Sequence, residues 1–126
     1  MRFAQGLLIF TGVIFSIYGI MCFYDPAIPA GYIGLELGNA GGPVEVMAMY
    51  GGLQLAAGLY LLWCGSQADR ARQGLVVMVV LLGGLASTRG LGLMRVGIDS
   101  YNLGAFAYET TTVLLGLYSL RKAKPA

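Results

Sequence analysis

The sequence contains no histidine and few charged residues. The lack of histidine removes the most common metal ligand and the side chain most often used for proton transfer near neutral pH. It argues against histidine-ligated haem, di-iron sites that use histidine, and HExxH zinc sites. Charged residues make up 11% of the chain, against roughly 25% in soluble domains. So few charges cannot cover a soluble globule of this size.

Cysteine is almost as scarce, since Cys22 and Cys64 are the only two. They fall at opposite ends of the first two predicted helices. At a helical rise of 1.5 Å per residue, the two thiols lie about 30 Å apart, far beyond the reach of a disulfide. We interpret both as inert apolar thiols.

Apolar residues dominate what is present: they form 57% of the chain, and its mean hydropathy is +0.72. The first uncharged run, Phe3 to Phe23, has 21 residues. As a helix it covers about 31 Å, one hydrocarbon thickness, and it is too long for the apolar region of a signal peptide. Three further runs follow. Together they predict membrane helices over residues 3–24, 44–64, 74–95 and 103–121.

These runs predict an all-α, polytopic membrane protein, an up-and-down bundle of four transmembrane helices in a single domain over residues 1–126. With both termini in the cytoplasm, the inner side holds six of the eight basic residues, as the positive-inside rule requires. The long loop 25–43 then lies outside. The inner basic residues are Arg2, Arg70, Arg72, Arg121, Lys122 and Lys124.

Small residues recur at spacings of four on the last three helices, which allows close backbone approach in lipid. They favour packing within the bundle, with a dimer contact as the alternative. The three faces are Ala48, Gly52 and Ala56; Gly84, Thr88 and Gly92; and Thr112 and Gly116 with Glu109.

Two charged residues lie inside predicted spans, Arg89 on the third helix and Glu109 on the fourth. Their depths below the outer interface are about 7.5 and 9 Å at the helical rise. They therefore lie at nearly the same level on neighbouring antiparallel helices. We expect them to pair, because arginine can hold a carboxylate through two parallel hydrogen bonds.

Further polar residues belong to the same outer half of the predicted bundle, whereas the inner half is almost purely apolar. One interpretation is a structural ion pair that fixes the third and fourth helices in register. The other is a pocket that binds the polar head of an amphiphile. The predicted cluster comprises Arg89, Glu109, Glu45, Tyr50, Gln54, Arg95 and Tyr108.

The stretch from Glu45 to Gln54 resembles the second helix of a family of small four-helix bacterial membrane proteins, a domain-of-unknown-function family. The match falls on Glu45, Ala48, Met49, Tyr50, Gly51 and Gly52. Met47 replaces the arginine of that family, so any anion-binding role of that arginine is either lost here or has moved, for example to Arg95. The resemblance also covers Gly83 to Arg89 and Glu109, and it implies the bacterial cytoplasmic (inner) membrane.

Three function hypotheses remain open. The first is non-enzymatic binding of a lipid or hydrophobic small molecule by the outer cluster, with membrane lipids as partners. The second is an accessory subunit of a larger membrane complex, and the third is a small transporter or channel assembled as a homo-oligomer around Glu109. The sequence shows no catalytic constellation, and we expect no enzyme activity, cofactor, metal or nucleic-acid partner.

Overall fold

The computed structural model describes residues 1–123, which are helical almost throughout and contain no strand. Lys124, which the sequence analysis placed on the inner side, lies outside the described residues. Four stretches correspond to the four predicted helices. The elements are α1 (Arg2–Tyr24), α2 (Ala27–Ile33), α3 (Gly41–Val46), a π-helix (Met47–Gly52), α4 (Leu53–Gly65), α5 (Ala68–Val96) and α6 (Ser100–Lys122).

Three helical segments of the described chain are long and apolar enough to cross a membrane: Arg2–Tyr24, Gly41–Gly65 and Ala68–Val96. The chain therefore has the character of a membrane protein. Helix α6 has 23 residues, but its apolar content is lower because Glu109 and three consecutive threonines lie in its middle. The fourth membrane span thus stays a prediction.

The predicted outer loop is partly helical. Helix α2 ends at Gly34, whose φ of 79° places it in the left-handed region, where glycine carries no steric penalty. The Gly34 N–H donates to the Ala30 carbonyl and so closes the last turn of α2. The following residues turn back into α3, which continues without a break into the second long helical segment.

That second long segment is interrupted by the π-helix Met47–Gly52. Its wider turn is visible at Leu53, whose N–H donates to the carbonyl of Ala48, five residues earlier. π-Helical turns are rare, and they change the angular position of every residue that follows. The sequence predicted a continuous α-helix here, because the apolar run has no feature that marks the change.

The described chain divides into two compact units, Ile9–Trp63 (unit A) and Met1–Leu8 with the part from Cys64 onward (unit B). In unit A, α1 packs against the π-helix and α4 through glycines. A Cβ added at Gly19 would lie 2.7 Å from the Gly51 carbonyl oxygen, and one at Gly12 would lie 2.8 Å from the Gly58 oxygen. The two pairs run in opposite directions along the chain, so the packed helices are antiparallel.

In unit B, α5 and α6 form an antiparallel hairpin joined by residues 97–99. Gly90 lies under the ring of Phe106 near the connection, and Gly116 lies against Val79 and Met78 farther down. The α6 face predicted from its small residues is buried at Glu109, Thr112 and Gly116, and Ser119 extends it.

The other end of unit B brings two aromatic residues together with Lys122, one of the basic residues predicted on the inner side. Phe3 and Tyr118 make an edge-to-face contact with centroids 6.4 Å apart, and the Lys122 ammonium lies 5.7 Å from the Tyr118 ring. The Gln5 side chain donates to the Gly65 carbonyl at 3.1 Å. The start of α1 and the end of α6 therefore lie at the same end of this unit.

Candidate functional site

The centre of the candidate site is the ion pair between Arg89 of α5 and Glu109 of α6. Arg89 Nε donates to both carboxylate oxygens, at 3.2 and 3.0 Å, and Nη2 donates to Oε1 at 2.9 Å. The pairing expected from their equal depth is therefore present. Its side-on geometry fits the planar guanidinium to the carboxylate, which makes such bonds strong and directional.

The pair is well shielded on the carboxylate side. The Glu109 side chain is 7% exposed and that of Arg89 is 22% exposed. Burying a lone carboxylate is costly, and the arginine offsets that cost only while both partners stay in place. Arg89 and Glu109 therefore depend on each other for their positions.

A third residue, Asn102, links the pair to the connection between the helices. Arg89 Nη1 donates to Asn102 Oδ1, and Asn102 Nδ2 donates to Asp99 Oδ2 at 2.8 Å. The backbone N–H of Asn102 donates to Asp99 Oδ1 at 2.9 Å, so Asp99 is the N-cap of α6. Arg89, Glu109, Asn102 and Asp99 thus form one hydrogen-bonded chain, here called the polar chain.

Local sequence explains why the polar chain forms at this point. Helix α5 ends at Gly97, whose φ is 135°, a value accessible mainly to glycine. Asp99 then starts α6 as a strongly preferred capping residue. Asn102 is in the first turn of α6 and Glu109 is two turns farther, so both lie on the side that meets Arg89.

A cleft of about 390 Å³ lies beside the polar chain. Its lining combines the polar residues Arg89, Asp99 and Asn102, and Thr88, with apolar side chains of α5. Its volume is at the lower end of the range of small-molecule sites, roughly 300–1,000 Å³. The apolar lining comes from Leu85, Leu93 and Val96, with Gly92 between them.

Asp99 is the exposed member of the polar chain, and it lies outside the candidate spans. The backbone N–H of Asn102, followed by its side-chain amide, holds the pKa of the Asp99 carboxyl below its ordinary value. Hydrogen bonds to the charged form have this effect because they are lost on protonation. Asp99 is therefore a carboxylate at neutral pH.

The remaining predicted site residues of unit B are not part of the cleft wall. Arg95 is exposed in the last turn of α5. The Tyr108 hydroxyl is buried, and the carbonyl of Tyr108 accepts a hydrogen bond from Thr112 Oγ1 at 2.8 Å. Neither residue belongs to the polar chain, although both are on the helices that carry it.

Glu45, Tyr50 and Gln54 belong to unit A. Glu45 is exposed on α3, Tyr50 is half-buried in the π-helix, and Gln54 is half-buried on α4. That they join Arg89 in one site stays a prediction.

Among residues 1–123, no group of three acidic, cysteine or histidine side chains could hold a metal ion. No family model, no curated protein and no solved structure matches the chain. The resemblance to the small four-helix membrane family therefore stays a prediction, and the proposal of function depends on the geometry of the site.

Proposed function

We propose that this protein is a non-enzymatic membrane protein that binds an amphiphile, a lipid or another hydrophobic small molecule with a polar head. The observation that supports this most directly is the cleft beside Arg89, which has a polar part and an apolar part. A head group fits the part lined by Asp99 and Asn102. An acyl or alkyl chain fits along Leu85, Leu93 and Val96.

The position of the cleft in the sequence supports the same proposal. It lies at the end of an apolar helix long enough to cross a membrane, next to the connection between α5 and α6. Amphiphiles in a bilayer place their heads at this boundary and their chains below it. A cleft at this boundary that has both polar and apolar lining residues can take up such a molecule.

The proposal includes a membrane arrangement. We infer a bundle of four spans in a bacterial cytoplasmic membrane, with both termini inside and the cleft in the outer half. The contact of Phe3 with Tyr118 supports termini on one side. The basic residues Arg2, Arg121 and Lys122 then lie on the cytoplasmic side, as the positive-inside rule requires.

The test is native mass spectrometry of the protein extracted gently from its own membrane. The natural protein should carry a discrete added mass. Gly92→Leu should lose it, because Gly92 lines the cleft and a Cβ added there meets no atom within 4 Å. The larger residue therefore fills the cleft without disturbing the helix contact.

Gly84→Leu is the matched control, since Gly84 is on the same helix, is equally open and does not line the cleft. It should keep the added mass. A bare natural protein, or an adduct that survives in Gly92→Leu, would contradict binding in this cleft. The ion pair would then have a purely structural role.

A further inference from the structure

The geometry of the cleft also points to the chemical class of the ligand. We propose, on the basis of the proposed function, that the cleft binds an amphiphile whose head carries an ammonium group. The head is thus cationic or zwitterionic, and the ammonium lies against Asp99. This differs from the simplest expectation for a site that contains an arginine, which is an anionic head group.

The first argument is the charge balance of the polar chain. The positive charge of Arg89 is matched by the carboxylate of Glu109, to which it donates three hydrogen bonds. Asp99 adds a second negative charge, and it lines the cleft whereas Glu109 does not. The polar chain therefore carries one net negative charge, on the residue that faces the ligand space.

The second argument concerns the donors that an anionic head would need. Arg89 Nε and Nη2 are directed at Glu109, and Nη1 is directed at Asn102. An anion that drew the Nε and Nη2 side of this guanidinium toward itself would compete with a carboxylate that is 7% exposed. Leaving that buried carboxylate without its partner is strongly unfavourable.

The third argument concerns how Asp99 is presented. Asn102 holds both of its carboxylate oxygens in place, one through its backbone N–H and one through its side-chain amide. The carboxylate is exposed, so its remaining lone pairs can accept hydrogen bonds from an ammonium. Arg95, the other cation at this end of α5, does not line the cleft.

An ammonium head could come from two sources, a lipid such as phosphatidylethanolamine or a free alkylammonium amphiphile. Native mass spectrometry with an equimolar mixture of phosphatidylethanolamine and phosphatidylglycerol of equal chain length tests the class. The natural protein should retain phosphatidylethanolamine preferentially, by about fivefold for one charge pair in water. Displacement by dodecylammonium would indicate a free alkylammonium amphiphile as the source, and resistance would indicate the lipid.

Asp99→Asn removes the charge and keeps an equally good N-cap, so it should abolish the preference while the helices stay intact. Asp25→Asn is the matched control, because Asp25 also accepts a backbone N–H, that of Ala27, at 3.0 Å. It should keep the preference.

The outcomes separate the two proposals. A contrary result is that the natural protein retains phosphatidylglycerol as well as or better than phosphatidylethanolamine, with Gly92→Leu still losing the lipid. That result would overturn the ammonium assignment and leave amphiphile binding intact. A preference unchanged in Asp99→Asn would also overturn it. Absence of any lipid sensitive to Gly92→Leu would overturn both proposals.

Discussion

Arg89 and Glu109 are separated by 20 residues in the chain, yet the guanidinium holds the carboxylate through Nε and Nη2 at 3.0 and 2.9 Å. Residues 97–99 form a short connection between α5 and α6. Because the two helices pack antiparallel, this connection brings Arg89 and Glu109 to the same level of the hairpin. The pair is thus a product of the local topology, and its strength follows from the burial of Glu109.

Removing one partner of this pair should destabilise the protein more than removing both. Arg89→Met leaves a buried carboxylate without a partner, and we expect a loss of about 3 kcal/mol in the free energy of unfolding. Arg89→Met/Glu109→Leu should recover most of it, because no charge is left buried. Unfolding of the natural protein and of both variants in mixed micelles measures these differences in free energy.

Arg95→Met is the control for this comparison, since Arg95 is exposed on the same helix. It should change the free energy of unfolding by less than about 0.5 kcal/mol. A double variant no more stable than Arg89→Met would contradict the view that an uncompensated charge causes the loss.

In the proposed four-span arrangement, insertion of α6 into the membrane should depend on Arg89. Among the long helices, α6 is the one that does not reach the apolarity of a candidate span, and a charged residue at the centre of a span costs about 2.5–3.5 kcal/mol. Pairing of Glu109 with Arg89 offsets part of that cost. In Arg89→Met, a larger fraction of molecules should therefore leave the C-terminus outside.

Reporters fused to the C-terminus measure this fraction: a fluorescent protein that matures only in the cytoplasm, and a phosphatase that is active only outside. Arg89→Met should lower the first signal and raise the second, and Arg89→Met/Glu109→Gln should restore the natural ratio. Identical ratios in all three proteins would mean that α6 inserts without help from the pair.

The titration of Asp99 should reveal its hydrogen bonds. Its pKa is lowered in the folded protein, so this carboxylate contributes stability above its unfolded pKa of about 3.9, and that stability is lost as the pH falls through the lower folded pKa. NMR of the carboxyl carbon should show a midpoint for Asp99 below the unfolded value of about 3.9. In Asn102→Ala the Asp99 midpoint should rise, because the side-chain amide is gone. A midpoint that does not move would contradict the role of Asn102.

The apolar runs predicted the long helices because a span must satisfy its backbone within one continuous helix. They located the ends less well. Helix α5 begins at Ala68, six residues before the predicted start, because hydrogen bonding continues through charged residues that hydropathy excludes. The π-helix left no sign in the pattern of apolar residues, so the packing face of that segment was missed.

For the site, depth arithmetic was enough to predict that Arg89 meets Glu109. It could not reveal that Asn102 joins Arg89 to Asp99, since that depends on how α6 is capped. Asp99 is the N-cap, and this choice turns the Asn102 side chain toward Arg89. A pocket beside Arg89 was among the interpretations of the sequence, but its lining by Leu93, Val96 and Asp99 was not predicted, because the walls of an open space depend on which side chains meet across the hairpin.

The packing of unit A gives the sharpest stability prediction, because it depends on glycines that the small-residue spacing did not identify. A Cβ at Gly58 would lie 2.5 Å from Ser16 Oγ and 2.6 Å from Ser16 N, whereas a Cβ at Gly52 would meet no atom closer than 3.8 Å. Gly58→Ala should therefore force α1 and α4 apart. Overpacking of this kind costs about 1–3 kcal/mol.

Gly52→Ala is the matched control, since it adds the same methyl group to the same helical segment at an exposed position. Its midpoint in a thermal unfolding experiment in detergent should equal or exceed that of the natural protein, because alanine replaces glycine in a helix. Gly58→Ala and Gly19→Ala should lower the midpoint, since the added atom at Gly19 would lie 2.6 Å from Leu55 N. Equal midpoints for Gly58→Ala and Gly52→Ala would mean that the two helices do not pack through these glycines.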